Sequence, residues 1–257
     1  MIKGLVFIDL DGTLLNSESQ VDDDVVEAIK KLKENNYAPI IATGRTLVEI
    51  QHILDRIDTQ SIISMNGQHG IYNSRVIFNK SMDIDAIKRL KEKVISNGHE
   101  LSFYNPSKIT ITGHSEVAKK NYEYLNGKLP PIDGEIYEKE PINMLLILTE
   151  NGDEEYKREF PEFQFVRNTP YAIDVFEKNV SKGEGIKIFI EELNLKGIPT
   201  YAFGDGLNDL EMFETVDYPI AMENASPILK EKAAYVTKSN INRGIEHGLK
   251  YYNLISS

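Results

Sequence analysis

Gly4-Leu5-Val6-Phe7-Ile8 is a run of five apolar residues with no polar break, and it stops at Asp9-Leu10-Asp11-Gly12-Thr13. A run without alternation reads as a strand covered on both faces, and strands of that kind belong to parallel sheets layered between helices. The segments that follow fit this frame. Val21, Val25, Val26, Ile29 and Leu32 recur at helical spacing, with Asp22 as the expected N-cap and residues 34–36 as the stop. Residues 39–42 form the next strand candidate, Thr43-Gly44-Arg45 follows it, and Thr46 with Glu49 reads as a capping box opening another helix. Residues 61–64 give a third strand, and Asn66-Gly67 is a turn signal ahead of a hairpin over residues 70–78. Strand and helix alternating in this way is the pattern of βαβ units.

Near Met82 the pattern changes. An amphipathic helix over residues 84–95 leads into strand-like runs at 100–104 and 109–112. A Tyr-rich helix candidate at 117–125, a Leu129-Pro130-Pro131 loop, an apolar run at 142–148 and a hairpin over 163–176 come next. This reads as an α+β insert of about a hundred residues, a common domain size. Ser181 with Glu184 makes another capping box, and βα alternation resumes: a helix to about Leu195, a strand at Tyr201, a helix at Leu207 and a strand at Tyr218. Ser226-Pro227 supplies an N-cap and a first-turn proline for one more helix. The expected fold is α/β, with a mostly parallel sheet built from residues 1–81 and 181–257 and an α+β domain at 82–180 inserted between them.

Composition narrows the chemistry. At 257 residues, 41% hydrophobic and 27% charged, the chain is long enough for a sizeable core, and its apolar runs are too short to span a bilayer. The opening segment is broken by Asp9 and lacks a secretory cleavage pattern. There is no cysteine, so disulfides, thiolate nucleophiles and thiolate metal sites are excluded, and a hard-cation oxygen site is the expected home for any metal. A net charge of −11 disfavours nucleic acid, whose binding needs a positive surface. A cytoplasmic monomer or homodimer, with neither nucleic-acid nor membrane partners, is the expectation.

Alternate residues of an extended chain point the same way, so Asp9 and Asp11 share one pocket if the strand geometry persists. Two such anions need a cation or a shared proton. Gly12 and Thr13 let the backbone leave the sheet and expose its amides to a phosphate-sized ligand. A second acid cluster, Gly204-Asp205-Gly206-Leu207-Asn208-Asp209, follows another strand candidate. Thr43 ends a strand and Lys182 starts a helix. Taken singly, Thr43 reads as a strand-end hydroxyl, Lys182 as a solvated side chain, and Asn208 and Asp209 as first-turn polar residues. Together they sit beyond the carboxyl ends of strands, where open α/β sheets bind ligands. His52, His69, His99, His114 and His247 lack metal-ligand spacing and read as surface or packing residues.

The ordered set Asp9-Leu10-Asp11-Gly12-Thr13-Leu14-Leu15, Thr43-Gly44-Arg45, Asn66-Gly67, Val180-Ser181-Lys182-Gly183, Gly204-Asp205-Gly206-Leu207-Asn208-Asp209 and Ala221-Met222-Glu223-Asn224-Ala225 spans nearly the whole chain. It resembles the haloacid dehalogenase-like phosphatases of the Cof type, which carry an α/β cap between the second and third motifs of a Rossmann-like core. The resemblance implies a phosphatase acting on small phosphate esters, sugar phosphates first and phosphorylated cofactors next, through an aspartyl-phosphate on Asp9 with Asp11 as acid and base. It implies Mg2+ held by Asp9, Asp205 and the Asp11 backbone carbonyl, with Asp209 behind them. The Leu10 and Gly44 amides, Thr43, Lys182 and Asn208 would surround the phosphoryl oxygens. A sugar phosphomutase or phosphotransferase, and a phosphometabolite-binding regulator without turnover, are the alternatives. Three positions depart from the family pattern: Asn179 and Gln68, where small residues are usual, and Arg243, where an acid is common. In the insert, Tyr104, His114, Arg167 and Asp174 are polar candidates for substrate contact that read more readily as surface residues.

Overall fold

β1 (Gly4–Ile8) is buried along its whole length, and each fully buried Leu, Val, Phe or Ile contributes roughly 1.5–3 kcal/mol. The computed structural model describes residues 2–125 and 127–256; Met1 and Ser257, the outer limits of the expected core segments, and Asn126 lie outside the described residues. After β1 come α1 (Asp23–Glu34), β2 (Tyr37–Ala42), α2 (Leu47–Arg56), β3 (Ile62–Ser64), β4 (His69–Tyr72) and β5 (Arg75–Asn79). Asp22 stands at the N-cap of α1, but its carboxylate accepts from Asn16 Nδ2 at 2.7 Å instead of capping the helix. Glu49 makes its part of the expected box, accepting from the Thr46 N–H at 2.8 Å.

The chain continues with α3 (Ile84–Ser96), β6 (Glu100–Asn105), β7 (Lys108–Ile111), α4 (Glu116–Tyr124), β8 (Met144–Leu148), α5 (Asp153–Glu159), β9 (Phe163–Thr169) and β10 (Ala172–Glu177). α6 (Lys182–Glu192), β11 (Thr200–Gly204), α7 (Leu210–Thr215), β12 (Tyr218–Ala221), α8 (Pro227–Lys232), β13 (Tyr235–Val236) and α9 (Gly244–Tyr251) complete it. Ser181 and Ser226 both cap as expected, accepting from the Glu184 and Leu229 amides at 3.2 and 3.3 Å.

Two compact units emerge, Met1–Asn79 with Ser181–Ser257, and Lys80–Val180. The first is built on an eight-stranded sheet of order β13-β12-β11-β1-β2-β3-β4-β5. Its pairings are parallel from β13 to β3 and antiparallel from β3 to β5. Ile8 pairs with Ile41 on β2 and with Phe203 on β11, so three strands end level and the residues after them emerge side by side. The fold is therefore α/β with a mostly parallel sheet, as expected.

The second unit carries a five-stranded antiparallel sheet of order β7-β6-β8-β10-β9. β8 is wholly buried, yet its side chains alternate between two apolar clusters. Leu145 and Ile147 join α3 residues such as Leu90 and Val94, while Met144, Leu146 and Leu148 join Ala118 and Tyr122 of α4. Period two is thus preserved inside a continuous apolar run because both faces of the sheet are covered. Tyr104 is buried rather than on the surface, its hydroxyl 3.1 Å from that of Tyr122. Arg167 forms a fork with Asp153, at 2.9 and 2.5 Å, and donates to the Thr149 carbonyl, so it braces the unit internally. Among the described residues, no helix is long and apolar enough to cross a membrane.

Candidate active site

The level ends of β1, β2 and β11 bring Asp9, Thr43 and Asp205 to one edge of the sheet. The chain does not stay extended beyond Asp9. Leu10–Leu14 forms one wide turn in which the Leu14 N–H donates to the Asp9 carbonyl at 3.2 Å, and Gly12 adopts φ 75°. A Cβ at Gly12 would sit 2.3 Å from Asp205 Oδ2, so both the backbone conformation and the close approach require glycine. Thr13 Oγ1 donates to Asp205 Oδ1 at 3.0 Å, fastening the turn to the second acid cluster.

Because the backbone turns, the carboxylates of Asp9 and Asp11 do not follow from a continued strand, and each is bonded to a different cation. The Asp9 carboxylate is buried and bonded to Lys182 Nζ, whereas Asp11 is half exposed and clasped by Arg45 through Nε at 2.9 Å and through Nη2. Lys182, at the first position of α6, is fully buried and also donates to Asp209 Oδ1 at 2.7 Å. The other Asp209 oxygen accepts from the Asp205 and Gly206 amides, each at 3.0 Å. Asp209 thereby fixes both the ammonium and the loop that carries Asp205.

Electrostatics decide what this pocket can hold. Burial pushes the Asp9 carboxyl up to about 8 against the opposing pull of Lys182, and burial likewise raises Asp205 to about 6. Burial works against the Lys182 ammonium, but Asp209 and Asp9 outweigh it and hold its pKa above the usual lysine value. Oxygen atoms of Asp9, Asp205 and Asp209 lie within 4.8 Å of one another. Three carboxylates thus face one ammonium, an excess of negative charge that a hard divalent cation with oxygen ligands would neutralise. The donor set fits such an ion. Asp209 already spends both oxygens on protein donors, so Asp9 and Asp205 keep the free coordinating capacity.

Thr43 is buried, and its hydroxyl oxygen accepts from the Arg45 N–H at 3.1 Å, which tightens the Thr43-Gly44-Arg45 turn. Asn208 lies exposed on the short Leu207–Asp209 turn.

A family model described as haloacid dehalogenase-like hydrolase matches residues 6–249. The chain belongs to that family. YkrA of Bacillus subtilis (strain 168) is 34% identical over 257 residues, covering 99% of this chain and 100% of YkrA. The 5-amino-6-(5-phospho-D-ribitylamino)uracil phosphatase YcsE of the same organism is 27% identical, over 97% of this chain and 96% of its own. A crystal structure of a Geobacillus kaustophilus HTA426 protein superposes with a TM-score of 0.94 at 36% identity, covering 98% of this chain and 99% of that one. The subclass IIB sugar phosphatase BT4131 superposes with a TM-score of 0.83 at 26% identity, covering 98% and 99%. The resemblance to Cof-type phosphatases read from the motifs holds, and the protein is a phosphatase of this haloacid dehalogenase-like family.

The structure adds residues whose part in the site the sequence does not reveal. Arg45, the last residue of the Thr43-Gly44-Arg45 motif, is the partner of Asp11. Asn66 (φ 52°) belongs to a turn with three successive left-handed residues, and its N–H donates to the Thr43 carbonyl at 3.0 Å. Its Oδ1 is buried without a hydrogen-bond partner, facing Gly44. The Asn-Gly dipeptide signalled the turn, but nothing in the sequence tied it to the loop after β2. Of the departures from the family pattern, Asn179 adopts φ 63°, the left-handed geometry that asparagine tolerates. Arg243 pairs with Asp24 and Glu246 at 3.2 and 2.8 Å.

Proposed function

We propose that this protein hydrolyses small phosphorylated metabolites through an aspartyl-phosphate on Asp9, with Mg2+ as cofactor. The observation that carries the reading is the buried Asp9 carboxylate, held by Lys182 at the end of β1 beside Asp205. In the first half-reaction an Asp9 oxygen attacks phosphorus, the bond to the ester oxygen breaks, and the departing alkoxide takes a proton from Asp11. In the second, Asp11 removes a proton from water, the hydroxide attacks phosphorus, and inorganic phosphate leaves as the Asp9 carboxylate is regenerated. Asp11 is paired with Arg45 in this structure, so service as an acid requires that pair to open. Bound Mg2+, held by Asp9, Asp205 and the Asp11 carbonyl, would neutralise charge on the transferring phosphoryl group.

Lys182 has three donors and spends two on Asp9 and Asp209, which leaves one for a phosphoryl oxygen. The Leu10 and Gly44 amides, Thr43 and Asn208 would complete the cradle. The Lys80–Val180 unit would act as a cap that excludes water during transfer. For the substrate class, a relative named for a 5-phospho-D-ribityl compound and a neighbour named as a sugar phosphatase share a phosphate ester on a polyhydroxylated carbon chain. Sugar and sugar-alcohol phosphates are accordingly proposed first, phosphorylated cofactor precursors next. The test is phosphate release from an aryl phosphate and a panel of such esters, with Mg2+ and with EDTA. Asp9→Asn should lower kcat by about 10⁴-fold or more, since an amide is a poor nucleophile. Turnover that ignores EDTA, or survives in Asp9→Asn, would exclude the mechanism.

A further inference from the structure

The motif Ala221-Met222-Glu223-Asn224-Ala225 has no part in the chemistry above, yet the loop it forms after β12 reaches the catalytic turn. Its backbone clasps the neighbouring loop, the Met222 N–H donating to the Gly204 carbonyl and the Ser226 N–H to the Asp205 carbonyl, both at 3.0 Å. From this loop Asn224 extends past β11 and donates through Nδ2 to the Gly12 carbonyl at 2.7 Å. Asn224 Oδ1 in turn accepts from the backbone N–H of Asn240 at 3.1 Å, on the turn that follows β13. Asn240 completes the strap, since its own Nδ2 donates to the Leu15 carbonyl at 2.8 Å.

The orientation of the Asn224 amide is forced by its partners. A backbone N–H can only donate and a carbonyl can only accept, so Oδ1 must face Asn240 and Nδ2 must face Gly12. The strap grips the wide turn at Gly12, its left-handed residue, and at Leu15, immediately after it. Asp11 lies between Asp9 and those grips. Gly12 and Thr13 also bear on Asp205. The turn is therefore held at several points, by Asp205 and by two asparagines that touch none of the reacting atoms.

We propose that Asn224 and Asn240 are positioning residues that fix the Asp11–Thr13 turn, and with it the acid–base carboxyl, for phosphoryl transfer. The kinetic part rests on the phosphatase reading, whereas the conformational part does not. Asn224→Asp keeps the shape of the side chain but sets a carboxylate oxygen against the Gly12 carbonyl. Asn224→Ala removes both the donor to Gly12 and the acceptor for the Asn240 N–H, and Asn240→Ala removes the second grip while leaving the backbone donor to Asn224. One exposed hydrogen bond is worth a modest amount, so kcat should fall about fivefold to tenfold in Asn224→Ala and further in Asn224→Asp. KM for an aryl phosphate should change less than twofold, about the scatter of such measurements.

Hydrogen exchange on metal-free protein, followed by mass spectrometry, supplies the independent readout. Amides of residues 11–15 should exchange faster in Asn224→Asp and Asn240→Ala, with the thermal midpoint and the exchange of β1 unchanged. Faster exchange confined to that turn, with no phosphatase activity in the parent protein, would sink the phosphatase reading and keep the clamp. Unchanged exchange at residues 11–15 would overturn the clamp, as would a kcat loss matched by a general drop in stability.

Discussion

Replacing Lys182 by methionine removes the ammonium that bonds Asp9 and Asp209, beside Asp205, while keeping most of the buried side-chain volume. Breaking a buried ion pair by deleting one partner costs about 3–5 kcal/mol, because the surviving charge stays desolvated. For a unit of about 150 residues this is a fall in Tm of roughly 6–20 °C. The sign of the pH dependence follows from Asp9. Its carboxyl already stands near 8 with the lysine present, and removing the ammonium drives it higher. From about pH 8 upward the folded variant therefore keeps a proton that the folded parent releases, so the deficit of the variant is flat at lower pH and grows above it, by up to about 1.4 kcal/mol per pH unit. The assay is urea unfolding of both proteins in EDTA at pH 6 and pH 8.5, with a repeat in Mg2+, which should recover part of the loss by binding only the folded state. A variant as stable as its parent, or a deficit that does not change with pH, would refute the electrostatic account.

Other consequences are open to the same methods. His69 is buried on β4, and burial lowers its pKa to about 4 from the usual 6.5, so its stabilising contribution is present above pH 6.5 and lost as pH falls toward 4. Between pH 7 and 5 the parent should lose about 2 kcal/mol more than His69→Gln in urea unfolding, and parallel pH curves would contradict this. Gly67 has φ 100°, and a Cβ there would lie 2.1 Å from the Ser181 carbonyl oxygen, so Gly67→Ala should cost roughly 2–4 kcal/mol. Gly98→Ala, at φ 73° with open space around it, should lose only about 1 kcal/mol, and equal losses at the two sites would show that the steric clash is relieved by a shift of the backbone.

The sheet and its flanking helices were legible because burial on both faces leaves an unmistakable trace, uninterrupted apolar runs such as those of β1 and β8. Helix starts were legible where a serine oxygen does the capping, at Ser181 and Ser226. α5 escaped notice because Asp-Glu-Glu-Tyr-Lys-Arg-Glu offers only Tyr156 to the core, too little for a period to register. The acids of the candidate site could be named from the motifs, but not how they point. Extrapolating the two-residue period past Asp9 joined it to Asp11, whereas Gly12 turns the backbone and leaves each acid to a cation from a different part of the chain. Partners at sequence separations of 34 and 173 residues leave no local signature.

The strand order has a consequence for how the polypeptide is made. β1 lies between β2, which follows it closely, and β11, which is synthesised only after the whole Lys80–Val180 unit. That unit is contiguous and holds its own apolar clusters, so it can finish folding on the ribosome while the sheet of the first unit is still half built. At about 5–20 residues per second, the hydrogen-bonding edge of an entirely apolar strand waits roughly 8–30 s for its second neighbour. Translation speed and chaperone supply during that interval, more than the stability of the finished molecule, should govern how much of this protein escapes aggregation.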